Sequence, residues 1–211
     1  MRQRNNRRRY DTVKRGMDIA ASAVGLVVTA PLQLAVGVMV LVKHGRPVLF
    51  RQERPGLNGQ VFELVKFRSM RHPDIDRVSD DERLTPFGRA IRATSLDELP
   101  TLWNVLKGDM SLVGPRPLRT HYLPLYSPMQ ARRHEVRPGI TGLAQVRGRN
   151  LLTWEKRFEL DVHYVDTRSA WLDLRILVET LTTVLHRTGI SAEGEATMTP
   201  FRGTKWGGDE R

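Results

Sequence analysis

The chain has 211 residues, no cysteine, 40% hydrophobic residues and a formal net charge of +11 with a pI near 10.8. Without cysteine there is neither a disulfide scaffold nor a thiolate zinc site, and the length suits one domain with a real core plus an accessory element. The excess of arginine and lysine points to an anionic partner: a phospholipid surface, a nucleotide or a nucleic acid.

Residues 1–13 carry Arg2, Arg4, Arg7, Arg8 and Arg9 and are expected to form a disordered basic arm. Ile19 to Val42 then runs 24 positions without a charge, in a chain whose mean hydropathy is −0.39. An unbroken helix of that length rises about 36 Å, enough for a hydrocarbon core of about 30 Å. Pro31, near its middle, lacks a backbone donor and crowds the preceding turn, so a helix kinks or breaks there. Each half then reaches only part of the way across. Lys14 and Arg15 precede the run, and Lys43, Arg46, Arg51 and Arg54 follow it. Basic flanks stay on the cytoplasmic side. A helix–break–helix over 14–43 that enters and leaves one leaflet translocates neither flank, and is favoured over a straight span or a buried soluble helix. Ser22, Thr29 and Gln33 are placed to satisfy backbone groups freed at the bend. Directly before such a segment, the basic arm reads as a headgroup-binding patch rather than a nucleic-acid tail.

A β-hairpin is expected over 48–68, turning at Asn58-Gly59, where both residues tolerate positive φ. Residues 71–84 are charged and read as loop. Thr85-Pro86 has the form of an N-cap and first helical position, opening a short helix to about Ala93. Ser95-Leu96-Asp97-Glu98 fits a capping box, predicting a helix from Ser95 that Gly108 ends. In Gly114-Pro115-Arg116-Pro117 two prolines hold an extended backbone around an arginine. The pattern is helical again from Thr153 to Val165 and from Ala170 to His186. There Trp171, Leu174, Leu177, Val178, Leu181 and Leu185 form a stripe, for which core packing is favoured over an interfacial role. The Gly- and Thr-rich tail after Gly189 is expected to order only by docking.

The adjacent carboxylates Asp97 and Glu98 have a plain structural account as a dipole-complementing residue and the closing member of the capping box. Their surroundings favour chemistry. Arg83, Arg89 and Arg92 precede them, and Arg116, Arg119, Arg132, Arg133, Arg137, Arg147 and Arg149 follow. Arginine recognises phosphate bidentately, and a carboxylate among phosphate-binding arginines stays ionised and can attack phosphorus. His121, His134, His163 and His186 lack metal-ligand spacing. No G-x-x-x-x-G-K-[ST] or G-x-G-x-x-G string is present, so a P-loop or Rossmann site is not supported.

The strings Lys66-Phe67-Arg68-Ser69-Met70, Thr94-Ser95-Leu96-Asp97-Glu98-Leu99-Pro100, Asn104 to Pro117 and Arg137-Pro138-Gly139-Ile140-Thr141-Gly142 resemble the bacterial sugar transferases, the monotopic polyprenyl-phosphate phosphoglycosyl transferases. The resemblance runs from about Lys14 to Gly203. It implies an α+β, mainly helical fold: a re-entrant membrane helix over 14–43, a catalytic domain over 44–188 with a β-hairpin and amphipathic interfacial helices, and a tail over 189–211. It implies transfer of a sugar 1-phosphate from a UDP-sugar to polyprenyl phosphate, with UMP released, at the cytoplasmic face of a bacterial inner membrane. Bilayer headgroups are then the anionic surface and nucleic acid is not a partner. The oligomeric state is left open, a homodimer included. By position, Asp97 matches the nucleophile and Glu98 its partner, with Mg²⁺ held at both. Arg92 matches a phosphate-holding arginine, and Pro115, Arg116 and Pro117 a uridine-side element. Lys66, Asp161 and Asp173 match further polar positions of functional importance, and Arg68, Arg147 and Arg149 join them as candidate substrate-binding residues. The tail Gly189 to Met198 resembles the minimal branch that uses diacetamido sugars such as diacetylbacillosamine. Two departures stand out: Ala30-Pro31 replaces the frequent Ser-Pro at the membrane break, and Arg147 stands where asparagine is common.

Overall fold

The computed structural model describes residues 2–72, 80–148, 152–186 and 200–203. It is mainly helical, and its longest element is α1, Arg2–His44. Here the structure corrects two expectations. The basic arm is helical from Arg2 rather than disordered, because it continues α1 and its inner end is fastened: Tyr10 and Lys14 both donate to Asp173, and Asp11 pairs with Arg168 at 2.8 Å. The chain also stays helical through Pro31 instead of dividing into two helices. Around the proline, Thr29 Oγ1 donates to Gly25 O at 2.6 Å and accepts from Gln33 Nε2 at 2.9 Å, while Ser22 donates to Ile19 O. These local side-chain bonds hold the backbone where proline thins the ladder. By length and composition α1 alone, among the described residues, is long and apolar enough to cross a membrane.

Both sides of Pro31 pack on the rest of the chain. Before it, Arg15 donates to Val105 O (2.6 Å) and Leu106 O (2.8 Å), and Asp18 accepts from Leu112 N at 3.1 Å. After it, Val36 and Val40 are fully buried with Phe67 and Ile91. Between these anchorages Val27, Val28 and Leu34 stand exposed.

The hairpin forms as expected: β1 (Leu49–Pro55) pairs antiparallel with β2 (Val61–Phe67), in a register from Leu49–Phe67 to Pro55–Val61. Its turn puts Asn58 at φ 54° and Gly59 at φ 76°, the left-handed region these residues tolerate. Within 71–84 a short helix, α2 (Asp80–Arg83), lies in what the sequence suggested was loop. Then α3 (Pro86–Ala93) is capped by Thr85, whose hydroxyl accepts from Gly88 N. The expected helix from Ser95 is replaced by a 3-10 turn, Leu96–Glu98, followed by α4 (Thr101–Lys107), which Gly108 terminates at φ 103°. No capping box forms. Ser95 sits at φ 56° with its side chain uninvolved in the cap, and Glu98 reaches distant cations instead.

A pair of short parallel strands, β3 (Ser111–Val113) and β4 (Gly139–Thr141), was not expected. Between them lie the extended segment 114–119, a 3-10 run at Thr120–Leu125, α5 (Pro128–Ala131) and a 3-10 turn at Arg132–Glu135. After β4 come α6 (Leu143–Arg147), α7 (Trp154–Thr167) and α8 (Ala170–His186), the last two where the periodicity put them. The core reading of α8 is corrected. Ile176 is its buried anchor, whereas Trp171, Leu174, Val178 and Leu181 are exposed. In the tail, Phe201 is buried among Tyr122, Trp154 and Phe158; residues 189–199 and 204–211 lie outside the described residues.

Candidate active site

The expected acidic pair sits where four segments meet. Strand β2 supplies Lys66, α3 supplies Arg92, the 3-10 turn supplies Asp97 and Glu98, and the segment after β3 supplies Arg116. The turn is held to β2 by α4. Asn104, fully buried, accepts from Val65 N at 3.1 Å and donates to Glu63 O at 2.7 Å, and Thr101 donates to Val65 O at 3.0 Å. Side chains of α4 thus satisfy backbone groups on the free edge of β2, groups that would otherwise be costly to bury. Leu96 and Leu99 pack against Val36 and Val40 of α1, closing the other side.

The two carboxylates have different surroundings. Glu98 Oε1 accepts from Lys66 Nζ and from Arg116 Nη2, the latter at 2.9 Å. Burial by itself would raise the Glu98 pKa, but Lys66 and Arg116 outweigh it and hold the group below the ordinary range. Asp97 is buried, and its pKa is pushed up by burial and by the charge of Glu98, with Lys66, Arg92 and Arg116 opposing. Glu98 therefore consumes the nearest cations, and Asp97 remains the carboxylate whose charge awaits a partner. Arg92 is turned by Ser69, whose Oγ accepts from its Nε at 2.8 Å. Ser69 in turn is locked against α3: a Cβ on Gly88 would come within 1.9 Å of Ser69 O.

Behind Arg116, Arg133 is buried with Asp161 at 2.7 Å and donates to Arg116 O at 2.7 Å. Asp161 therefore braces the Pro115–Pro117 segment through Arg133 rather than facing the dyad. A narrow cleft lined by Pro55, Pro115, Arg116, Pro117 and His134 opens beside it. Of the other expected substrate-side residues, Arg68 donates to His44 O, Gly45 O and Arg46 O and so caps the end of α1. Asp173 accepts from Tyr10, Lys14 and Tyr164 and fastens α1 to α8. Arg147 is exposed, 3.5 Å from Glu179, and Arg149 lies outside the described residues. Sequence reasoning missed Asn104, Thr101 and Ser69 as supports. A buried-type polar residue inside the apolar pattern of α4 was the one available signal.

Among the described residues no group of three His, Asp or Glu side chains gathers to hold a metal. Asp97 and Glu98 still suit Mg²⁺, which takes one or two carboxylates and completes its octahedron with phosphate oxygens and water. Both cations on Glu98 use Oε1, so Oε2 is the oxygen they leave.

A family model described as bacterial sugar transferase matches residues 9–187. A Bacillus subtilis protein, "Uncharacterized sugar transferase EpsL", is 52% identical over 91% of this chain and 96% of its own length. The Caulobacter vibrioides "UDP-glucose:undecaprenyl-phosphate glucose-1-phosphate transferase" is 42% identical over 83% of this chain and 70% of its own. An Aeromonas hydrophila protein named "UDP-N-acetylgalactosamine-undecaprenyl-phosphate N-acetylgalactosaminephosphotransferase" is 39% identical over 87% of this chain, but over only 45% of its own length.

Proposed function

This chain belongs to the bacterial sugar transferase family, and on that footing we propose that it transfers a sugar 1-phosphate from a UDP-sugar to polyprenyl phosphate through an aspartyl intermediate. The names of the Caulobacter and Aeromonas relatives differ in the sugar and agree on a UDP donor and undecaprenyl phosphate, which supports the general reaction. An N-acetylated or diacetamido sugar is the donor we favour. The observation that carries the mechanism is the division of labour in the dyad: Glu98 is bound by Lys66 and Arg116, leaving Asp97 to meet phosphorus.

In the first step an Asp97 carboxylate oxygen bonds to the β-phosphorus as the bond from that phosphorus to the bridging oxygen breaks. UMP departs with the electron pair, and an acyl phosphate joining Asp97 to the sugar phosphate remains. In the second, a phosphate oxygen of the polyprenyl phosphate attacks the same phosphorus and frees the Asp97 carboxylate, giving the prenyl diphosphate sugar. That acceptor is already anionic, so no strong base is required. Arg92, oriented by Ser69, and Arg116, braced by Arg133, hold phosphate oxygens in line. Mg²⁺ at Asp97 and the remaining oxygen of Glu98 would supply neutralisation of phosphate charge.

We place α1 in the membrane as a re-entrant element, with the basic flanks and active site at the cytoplasmic face and anionic headgroups as the surface. Support comes from its packing. Arg15 and Asp18 before Pro31, and Val36 and Val40 after it, return to the same domain, whereas a straight span would send one flank across.

The test is intact-protein mass after mixing detergent-solubilised enzyme, Mg²⁺ and a panel of UDP-sugars without acceptor. A sugar-phosphate adduct is expected on the wild type and none on Asp97→Asn, with the adduct mass naming the donor. Substantial turnover by folded Asp97→Asn would remove the nucleophile assignment.

A further inference from the structure

Arg54, at the end of β1, is partly buried beside the segment that carries Arg116. Its Nη1 donates to Pro117 O at 3.3 Å and its Nη2 to Gln52 Oε1 at 2.6 Å, while its Nε is buried with no acceptor. No carboxylate among the described residues pairs with it. Burial, followed by the nearby charges of Arg116 and Arg119, lowers its pKa to about 10. Its neighbours are treated differently: Arg133 has Asp161, and Arg116 and Lys66 have Glu98. Around the site Arg54, Lys66, Arg92, Arg116, Arg119 and Arg133 outnumber Asp97, Glu98 and Asp161. A partly desolvated cation with only neutral acceptors and like-charged neighbours is unfavourable, and persists where an anion arrives to pair with it.

We propose that Arg54 and Arg119, with the exposed side of Arg116, form a second phosphate-binding subsite flanking the Asp97–Glu98 dyad. The remaining N–H groups on the two terminal nitrogens of Arg54 and the solvent-facing Arg119 supply donors of the planar, charge-assisted kind that phosphate oxygens take. Position follows from the chain: Arg54 is tied to Pro117, next to Arg116 and two residues before Arg119. The subsite rests on the phosphotransfer reading of the dyad. Its ligand is a phosphomonoester, and two sources share that chemistry: the nucleotide leaving group and the prenyl phosphate acceptor. Because the first leaves before the second attacks, one subsite can also serve both in turn.

The test is calorimetric titration of the full-length Asp97→Asn protein, which cannot turn over, in detergent with Mg²⁺. UMP is one titrant and a short-chain prenyl phosphate the other, each repeated after adding Arg119→Gln or Arg54→Gln. Losing a charge-assisted contact should weaken binding by about tenfold or more. A loss confined to UMP assigns the subsite to the nucleotide, a loss confined to the prenyl phosphate assigns it to the acceptor, and a loss in both assigns alternation. Unchanged affinity for both ligands in both variants overturns the subsite. Arg119 is exposed, so its variant carries no folding penalty, and a urea midpoint checks that Arg54→Gln is folded. The mass experiment separates the two ideas: an adduct on wild type with unchanged affinities in the variants removes the subsite alone, and weakened binding without an adduct removes the nucleophile alone.

Discussion

At the scale of single residues, Asn104 shows how a side chain outside the chemistry sets the site. Its carboxamide bridges Val65 N and Glu63 O, so Asn104→Ala leaves both part-buried groups without their side-chain partner. The expected cost is about 2–5 kcal/mol, read from urea unfolding, since each orphaned group is worth about 1–3 kcal/mol. Gly88→Ala should also destabilise, because its Cβ has no room against the Ser69 carbonyl, and activity should fall as Arg92 loses its orientation. His134 gives the molecule a pH response. Its Nδ1 bonds to Gly56 O at 3.2 Å while Nε2 is buried without an acceptor, so protonation would strand an N–H. Burial and then the charge of Arg133 lower its pKa to about 4. The unfolded chain, with the ordinary value of about 6.5, binds the proton first. Stability from this group is therefore complete above about pH 6.5 and lost as pH falls toward 4, with an upper bound of about 3 kcal/mol that partial exposure reduces. Urea midpoints compared at pH 7.5 and pH 5 should drop more for wild type than for His134→Gln.

At the scale of elements, what could be read from sequence was whatever is locally determined. The Asn58-Gly59 hairpin, the Thr85-Pro86 start of α3, Gly108 as a stop and the 3.6-residue periods of α7 and α8 all carry their cause within a few residues. The 96–98 turn was misjudged because Ser95 and Glu98 satisfy a capping pattern locally, while Lys66 and Arg116, far along the chain, claim the glutamate. Strands β3 and β4 have three residues each, too few to show a period. Asp97, Glu98, Lys66 and Arg116 lie in the motif strings, and Arg92, just ahead of one, came from the family resemblance by position. The structural duties of Arg68 and Asp173 were not, since an arginine capping a helix and one binding phosphate look alike in sequence. On α8, Trp171, Leu174, Val178 and Leu181 stand exposed as an apolar face of the kind that binds a bilayer surface. Trp171→Glu with Leu181→Glu should reduce retention on anionic vesicles in flotation while leaving the unfolding free energy from urea titration within about 0.5 kcal/mol per substitution, as for other exposed substitutions.

At the scale of the whole molecule, the charge of +11 is distributed with purpose. Part flanks the apolar helix, and part converges on the dyad. A nucleic-acid-binding protein would leave Asp97 and Glu98 without a role, whereas here the cations of several elements are organised around them. On the proposed re-entrant topology, Pro31→Leu should favour a straight span and expose an N-terminal tag to the far side of the membrane; unchanged accessibility would count against the proline as the cause. The same helix carries a biosynthetic consequence. Val36 and Val40 are core residues shared with Phe67, Ile91, Leu96 and Leu99, and Arg15 closes the end of α4. This helix, synthesised ahead of the strands and helices that pack on it, is thus a wall on which they must assemble. Removing residues 1–44 should give an insoluble fragment rather than a free enzyme, because the apolar faces of Phe67, Ile91, Leu96 and Leu99 lose the helix that covers them.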